Sequence, residues 1–321
     1  MAFLPACSEH SNQRAKLSHP KRQQTDSHMI RNRRIRPMPH HDGYSLVELA
    51  VVMLIVSLLI GGLMLPISAQ QDVRARQETE KVLTDARESL LGYAIANGRL
   101  PCPASSTSNG IESFCTNTTG ACGTAIVGFS SATTAHGRCS NPHDGFLPAV
   151  TLGFTPIDTD GYATDGWNAG TVSRVRYAVT DYAFTPTTAL TTCQNNAASG
   201  TNTFNPFNCI NGMQQIFSTS STSDLTVCNA GANVTSAGTA SASCSTGTLT
   251  SDAVAIIYSL GKNTATGGTD TDENQNYNPQ STVAADRAFV KTTSSDVFDD
   301  QLTWISRGIL FGRLVSAGKL P

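Results

Sequence analysis

Residues 43–67 read GYSLVELAVVMLIVSLLIGGLMLPI, and this stretch decides how the chain is organised. The run from Tyr44 to Ile67 is long enough to cross a bilayer as a helix, and Glu48 is its only charged residue. A carboxylate near the bilayer centre costs on the order of 2.5–3.5 kcal/mol, and less near the interface. We therefore expect Glu48 to have a partner or a function.

The segment before this run is basic. Residues 1–43 hold eight lysines and arginines against three acidic residues. A basic segment in front of an apolar run favours a cytoplasmic N-terminus. No folded aromatic platform accompanies these charges, so nucleic-acid binding is not expected.

Two ordinary interpretations of the apolar run leave something unexplained. A secretory signal would use Leu49–Leu65 as its apolar core and Ile67-Ser68-Ala69 as its cleavage site. That core is too long, and Glu48 interrupts its start. A plain membrane anchor explains the length of the run but gives Glu48 no purpose.

A third interpretation explains both features. The segment Gly43-Tyr44-Ser45-Leu46-Val47-Glu48, followed by the apolar run, resembles the type IV prepilin family, which includes pilins and the pseudopilins of type II secretion. The resemblance implies that a membrane peptidase cuts between Gly43 and Tyr44 and methylates the new amine of Tyr44. The family usually has phenylalanine there, so Tyr44 is a departure. The resemblance also implies that Glu48 is an assembly contact, paired with the amine of a neighbouring subunit.

The leader of such a precursor is usually short and basic. We therefore expect translation to start at Met29, which leaves a leader of 15 residues ending at Gly43.

The sequence beyond the apolar run predicts that the helix continues. Val82, Ala86, Leu90 and Ala94 fall on one helical stripe, and Asn97-Gly98 is typical of a helix end. We predict a leader over residues 1–43, a transmembrane helix over 44–67, its continuation over 68–98 and a globular domain over 99–321.

The globular domain has the pattern of a sheet packed on this long helix. Val172–Thr180 alternates in polarity, Ala253–Leu260 is more continuously apolar, and Gln301–Ile305 is a third candidate strand. A short helix capped by Ser306 should follow. The predicted fold class is α+β, with a mostly antiparallel sheet and disulfide-rich loops. The stretch Asp165-Gly166-Trp167 also resembles secretion-type pseudopilins.

Eight of the nine cysteines follow the apolar run, which favours disulfides in an oxidising compartment. Their pairing cannot be read from the sequence. Four of them lie in a Ser/Thr/Asn-rich stretch over about 182–251, which we interpret as a disulfide-stapled insertion. The eight residues are Cys102, Cys115, Cys122, Cys139, Cys193, Cys209, Cys228 and Cys244.

Two acidic clusters are candidate calcium sites, because Ca²⁺ prefers several oxygen ligands. One comprises Asp158, Asp160 and Asp165, and the other Asp270 and Asp272. Neither fits the full EF-hand pattern, and acidic loops are more often solvated turns. The sequence has no recognisable catalytic arrangement, so we do not expect an enzyme.

These observations favour a structural subunit of a type IV pilus or type II secretion pseudopilus. Its expected partners are other pilin or pseudopilin subunits, the prepilin peptidase and an inner-membrane assembly platform. The precursor is expected to cross a bacterial inner membrane once, with a cytoplasmic N-terminus. The processed subunit is then expected in a periplasmic or extracellular filament. The alternatives are a minor or tip pilin acting as an adhesin or substrate-binding module, and a membrane-anchored enzyme. Cleavage would leave 278 residues, a size that favours a minor or specialised subunit.

Overall fold

The computed structural model describes most of the chain from Gly43 to Leu320. The described residues are 43–116, 122, 124–130, 137–167, 173–180, 213, 223, 225–236, 242–263, 270–277, 287–295 and 297–320, without the side chains of 62–69. The chain divides into two compact units, Met1–Leu58 and Leu59–Pro321.

Helix α1 runs over Leu46–Asn97. The two segments predicted to be helical, 44–67 and 68–98, thus form one helix that begins two residues later and ends one residue earlier than predicted. Its end is set by Gly98, whose positive φ of 65° is a conformation that glycine adopts without strain. Judged by length and hydropathy together, the helices among the described residues include none that would span a bilayer. The predicted transmembrane segment, 44–67, extends into residues 62–67, whose side chains lie outside the described set.

The described residues of the second unit form one main sheet, two small hairpins and three further helices. The strands are β1 (Ser113–Cys115), β2 (Ala125–Val127), β3 (Gly145–Phe146), β4 (Arg176–Val179), β5 (Leu225–Cys228), β6 (Val234–Thr235), β7 (Ser243–Cys244), β8 (Thr248–Ser259), β9 (Ala288–Val290) and β10 (Gln301–Ser306). The helices are α2 (Ala149–Leu152), α3 (Thr271–Asn276) and α4 (Arg307–Ser316). The result is an α+β fold, as predicted.

Strand β8 organises the main sheet, whose order is β3-β4-β8-β5-β9, with β10 also paired to β8. β8 is antiparallel to β4, β5 and β10, whereas β5 and β9 are parallel. The sheet is therefore mostly antiparallel, as predicted. The pairs β1–β2 and β6–β7 form the hairpins.

The sheet is buried on both faces, because its strands alternate between two hydrophobic clusters. Val175, Tyr177 and Val179 belong to the cluster that includes the α1 stripe. Ala178, between them, belongs to the second cluster. This confirms the period-2 pattern predicted for this strand. The helical stripe is buried as predicted, and Leu83 and Leu91 beside it are buried as well. The buried stripe residues are Val82, Ala86, Leu90 and Ala94.

The three predicted strands correspond to β4, β8 and β10, and the predicted helix after them is α4. The Ser306 hydroxyl accepts a hydrogen bond from the Ile309 N–H at 3.4 Å, which confirms the predicted cap.

The predicted insertion over 182–251 is wrong at its C-terminal end. β5 lies inside the main sheet, between β8 and β9, and Leu225 and Val227 are fully buried. The strand is only four residues long and stands among Ser and Thr residues, so its alternation gives little signal in the sequence.

Six of the eight expected disulfide cysteines are bridged in the described part of the chain. The pairs are Cys102–Cys139, Cys115–Cys122 and Cys228–Cys244. Cys193 and Cys209 lie outside the described residues.

Candidate processing and assembly site

The predicted cleavage site lies immediately before the first turn of α1. Gly43, Tyr44 and Ser45 are not helical, and the helix begins at Leu46. The peptide bond between Gly43 and Tyr44 is therefore outside the helical hydrogen-bond ladder. Tyr44 is 86% exposed, so no part of the described chain covers this segment.

Ser45 and Glu48 bind each other reciprocally across the helix start. The Ser45 N–H donates to Glu48 Oε2 at 3.0 Å, and the Glu48 N–H donates to Ser45 Oγ at 3.2 Å. This is a capping box, which satisfies two of the backbone donors that a helix N-terminus leaves without partners. Sequence reasoning missed it, although the Ser-x-x-Glu pattern at Ser45 is its signature.

The helix surface that follows is apolar and exposed. The large side chains from Leu46 to Leu58 are 42–87% exposed within the chain. A helix that is apolar on all sides requires a surrounding apolar medium or other helices to bury it. The site therefore combines an accessible peptide bond, an apolar helix and one carboxylate near the predicted point of cleavage.

The first candidate calcium cluster is not assembled as predicted. Arg174 occupies two of its carboxylates, with Nε donating to Asp158 Oδ2 at 2.6 Å and Nη2 donating to Asp160 Oδ2 at 2.5 Å. Burial would raise the pKa of Asp158, but hydrogen bonds from the Tyr162 N–H and the Arg174 guanidinium outweigh it and lower that pKa.

The third member, Asp165, has other partners. Its Oδ2 accepts from the Ser259 hydroxyl at 2.6 Å, and its Oδ1 accepts from the Trp167 N–H at 3.0 Å. Burial raises its pKa to about 6. A calcium ion at these three residues stays a prediction that this geometry does not favour.

The second candidate cluster has structural contacts. Asp270 caps α3, since its Oδ1 accepts from the Thr271 N–H at 2.8 Å. Asp272 Oδ1 accepts from the Gly231 N–H at 2.5 Å. These carboxylates hold loops in place, and calcium binding there also stays untested.

A third acidic group, missed in the sequence, joins α3 to the entry of β10. Glu273, Asp299 and Asp300 each offer an oxygen within 4.8 Å of the others. Their oxygens accept hydrogen bonds from neighbouring groups: Glu273 Oε1 from the Asp299 N–H at 3.0 Å, and Asp300 Oδ2 from Asn276 Nδ2 at 2.9 Å. Burial raises the pKa of Asp300 well above its ordinary value. Asp299 and Asp300 lie 26 and 27 positions after Glu273, so no local pattern in the sequence brings the three together.

Comparison with known proteins identifies the N-terminal segment. Residues 38–64 match the family model of the prokaryotic N-terminal methylation motif. The matched segment includes the predicted cleavage site, the capping box and most of the apolar run. No curated protein and no solved structure matches the chain. The predicted resemblance to type IV prepilins is confirmed over this segment.

Proposed function

We propose that this protein is a structural subunit of a type IV pilus or of a type II secretion pseudopilus. In this proposal a prepilin peptidase cuts between Gly43 and Tyr44, the amine of Tyr44 is methylated, and α1 carries the subunit into a filament. One observation carries the proposal: the methylation motif over 38–64 coincides with an exposed peptide bond at the start of an exposed apolar helix.

The apolar surface at the start of α1 is buried both in the membrane-held precursor and in the filament. In the precursor it holds the chain in the inner membrane, and the basic residues before Gly43 keep the leader on the cytoplasmic side. In the filament the same surface packs against the equivalent helices of neighbouring subunits. Both stages bury side chains that are exposed in the single chain.

The carboxylate of Glu48 gives the assembly its register. In a dry helix bundle a carboxylate is stabilised when a protonated amine lies opposite, and an unpaired charge there is strongly unfavourable. Cleavage at Gly43 creates such an amine on every subunit. Subunits that enter out of register would leave both charges unpaired.

Replacement of Glu48 by glutamine tests this role. A glutamine side chain retains the hydrogen bond to the Ser45 N–H, but it removes the charge that the amine requires. We expect Glu48→Gln to be cut and inserted normally, and its incorporation into filaments to fall at least about tenfold, because a buried charge pair loses one member.

The measurement is shearing of filaments followed by immunoblotting, with the membrane fraction as a loading reference. Glu80→Ala is the matched control, since it removes another exposed glutamate of α1 and should leave incorporation unchanged. Wild-type incorporation of Glu48→Gln would contradict the assembly role of this carboxylate.

A second candidate is a minor or tip subunit that contacts a surface or a secreted substrate. The 278 residues of this sequence that follow Gly43 support this candidate over a major subunit. Quantification of the protein in purified filaments separates the two: a minor subunit is present in far fewer copies than the filament has subunits.

A further inference from the structure

We propose that Ser45 is a positioning residue for processing. Through the capping box with Glu48 it fixes the start of α1, and so keeps the Gly43–Tyr44 peptide bond outside the helix, where a peptidase can bind it in extended form. This inference rests on the proposed function, because it concerns the same cleavage.

The geometry of the capping box supports this role. Both hydrogen bonds of the box are formed, at 3.0 and 3.2 Å, and they join the residue before the helix to its third residue. The non-helical segment ends where the box begins, since Ser45 is the last residue before the helix. The position of the box therefore determines how far the scissile bond lies from the first helical turn.

The sequence upstream offers a competing helix start. Asp42 precedes Gly43, and aspartate is among the most favourable N-cap residues. A helix that began after Asp42 would include Gly43 and Tyr44 in its first turn. Gly43 opposes this extension, because glycine is a poor helix former, and the capping box at Ser45 acts in the same direction.

A helical scissile segment is a poor substrate. A peptidase must form its own hydrogen bonds to the substrate backbone, whereas helical residues carry a curved backbone whose carbonyls are already bonded within the helix. Loss of the Ser45 hydroxyl favours the earlier start in two ways. It removes the acceptor for the Glu48 N–H, and it introduces alanine, the best helix former, at the boundary.

The test is the rate of cleavage of the full-length precursor, followed by pulse labelling in a strain with its prepilin peptidase. We expect Ser45→Ala to be cut about fivefold more slowly than wild type, the factor typical of a lost N-cap. Ser45→Thr restores a hydroxyl at the same position and should be cut at close to the wild-type rate. Val47→Ala changes an exposed side chain of the same turn without touching the box, and should have no effect.

The outcomes separate this inference from the function on which it rests. A wild-type precursor that is never cut at Gly43 would overturn both. Normal cutting of the wild type, together with an equal rate for Ser45→Ala, would overturn the role of Ser45 alone. Equally slow cutting of Ser45→Thr and Ser45→Ala would also overturn it, because the hydroxyl would then not be the cause. The amount of membrane-associated precursor in a peptidase-deficient strain corrects each rate for expression.

Discussion

Asp165 is a carboxyl group whose protonation should be visible in the stability of the protein. It is 5% exposed, and burial raises its pKa to about 6 from an ordinary value of 3.8. The folded state therefore binds this proton more tightly than the unfolded chain does. Asp165 therefore adds stability as the pH falls from about 6 towards 4, and this contribution is lost as the pH rises through 6.

Asp165→Asn should remove this pH dependence. A pKa shift of about two units corresponds to on the order of 2–3 kcal/mol of unfolding free energy. As the pH falls from 7 to 4, we expect the unfolding free energy of the wild type to rise by about that amount relative to that of Asp165→Asn. Denaturant unfolding at several pH values measures it. Parallel stability curves for the two proteins would show that Asp165 titrates normally.

Single residues differed in how far their role could be predicted from the sequence. Gly43, Tyr44 and Glu48 lie within one short motif, so their proposed roles follow from adjacent positions. The buried pair of Arg99 and Glu112, joined by two hydrogen bonds of 2.7 Å, could not be predicted, because a loop brings the two together. The acidic residues near 158–160 suggested a cation site, since the sequence does not reveal that Arg174 lies against them.

At the scale of elements, α1 depends on a close approach by the turn at Gly166. The Gly166 N–H donates to Thr79 Oγ1 at 3.0 Å, and Thr79 itself is fully buried. A Cβ at Gly166 would lie 2.3 Å from the Ala75 carbonyl oxygen and 2.9 Å from Glu78 Cβ. Both neighbours belong to the helix backbone or its first side-chain atom, so neither can move aside alone.

Gly166→Ala should therefore separate the turn from the helix and destabilise the second unit by about 1–3 kcal/mol. Gly92→Ala is the matched control, since it places the same methyl group on an exposed face of α1 with nothing within 4 Å. There we expect a gain of about 0.5–1 kcal/mol from helix propensity. Denaturant unfolding of the full chain in mild detergent compares them, and equal stability of the two variants would refute the close packing.

Elements with a long periodic pattern were predicted well. The helix, β4, β8, β10 and α4 each carry either a regular apolar period or a clear cap. β5 and β9 were missed, because they have four and three residues and take part in a parallel pair that no local pattern specifies. Tertiary contacts supply the stability that these short strands lack on their own.

In the whole molecule, the two units have different roles in the proposed filament subunit. The first unit presents the processing site and an apolar helix, and the second is a disulfide-bridged α+β domain with its own two-sided core. The proposed cleavage and methylation act on the first unit, whereas the three described disulfides lie in the second. Substitutions at the start of α1 should therefore affect processing and assembly, whereas substitutions in the second unit should affect its folding.

Cleavage between Gly43 and Tyr44 would set the N-terminus of the mature protein, which can be measured. Intact mass measurement and N-terminal peptide mapping should be applied to the protein from a strain with its prepilin peptidase. We expect a chain that begins at Tyr44 and carries one added methyl group on its amine. A chain that begins at Gln70, after an ordinary signal-peptide cut, or one that retains Gly43, would contradict it.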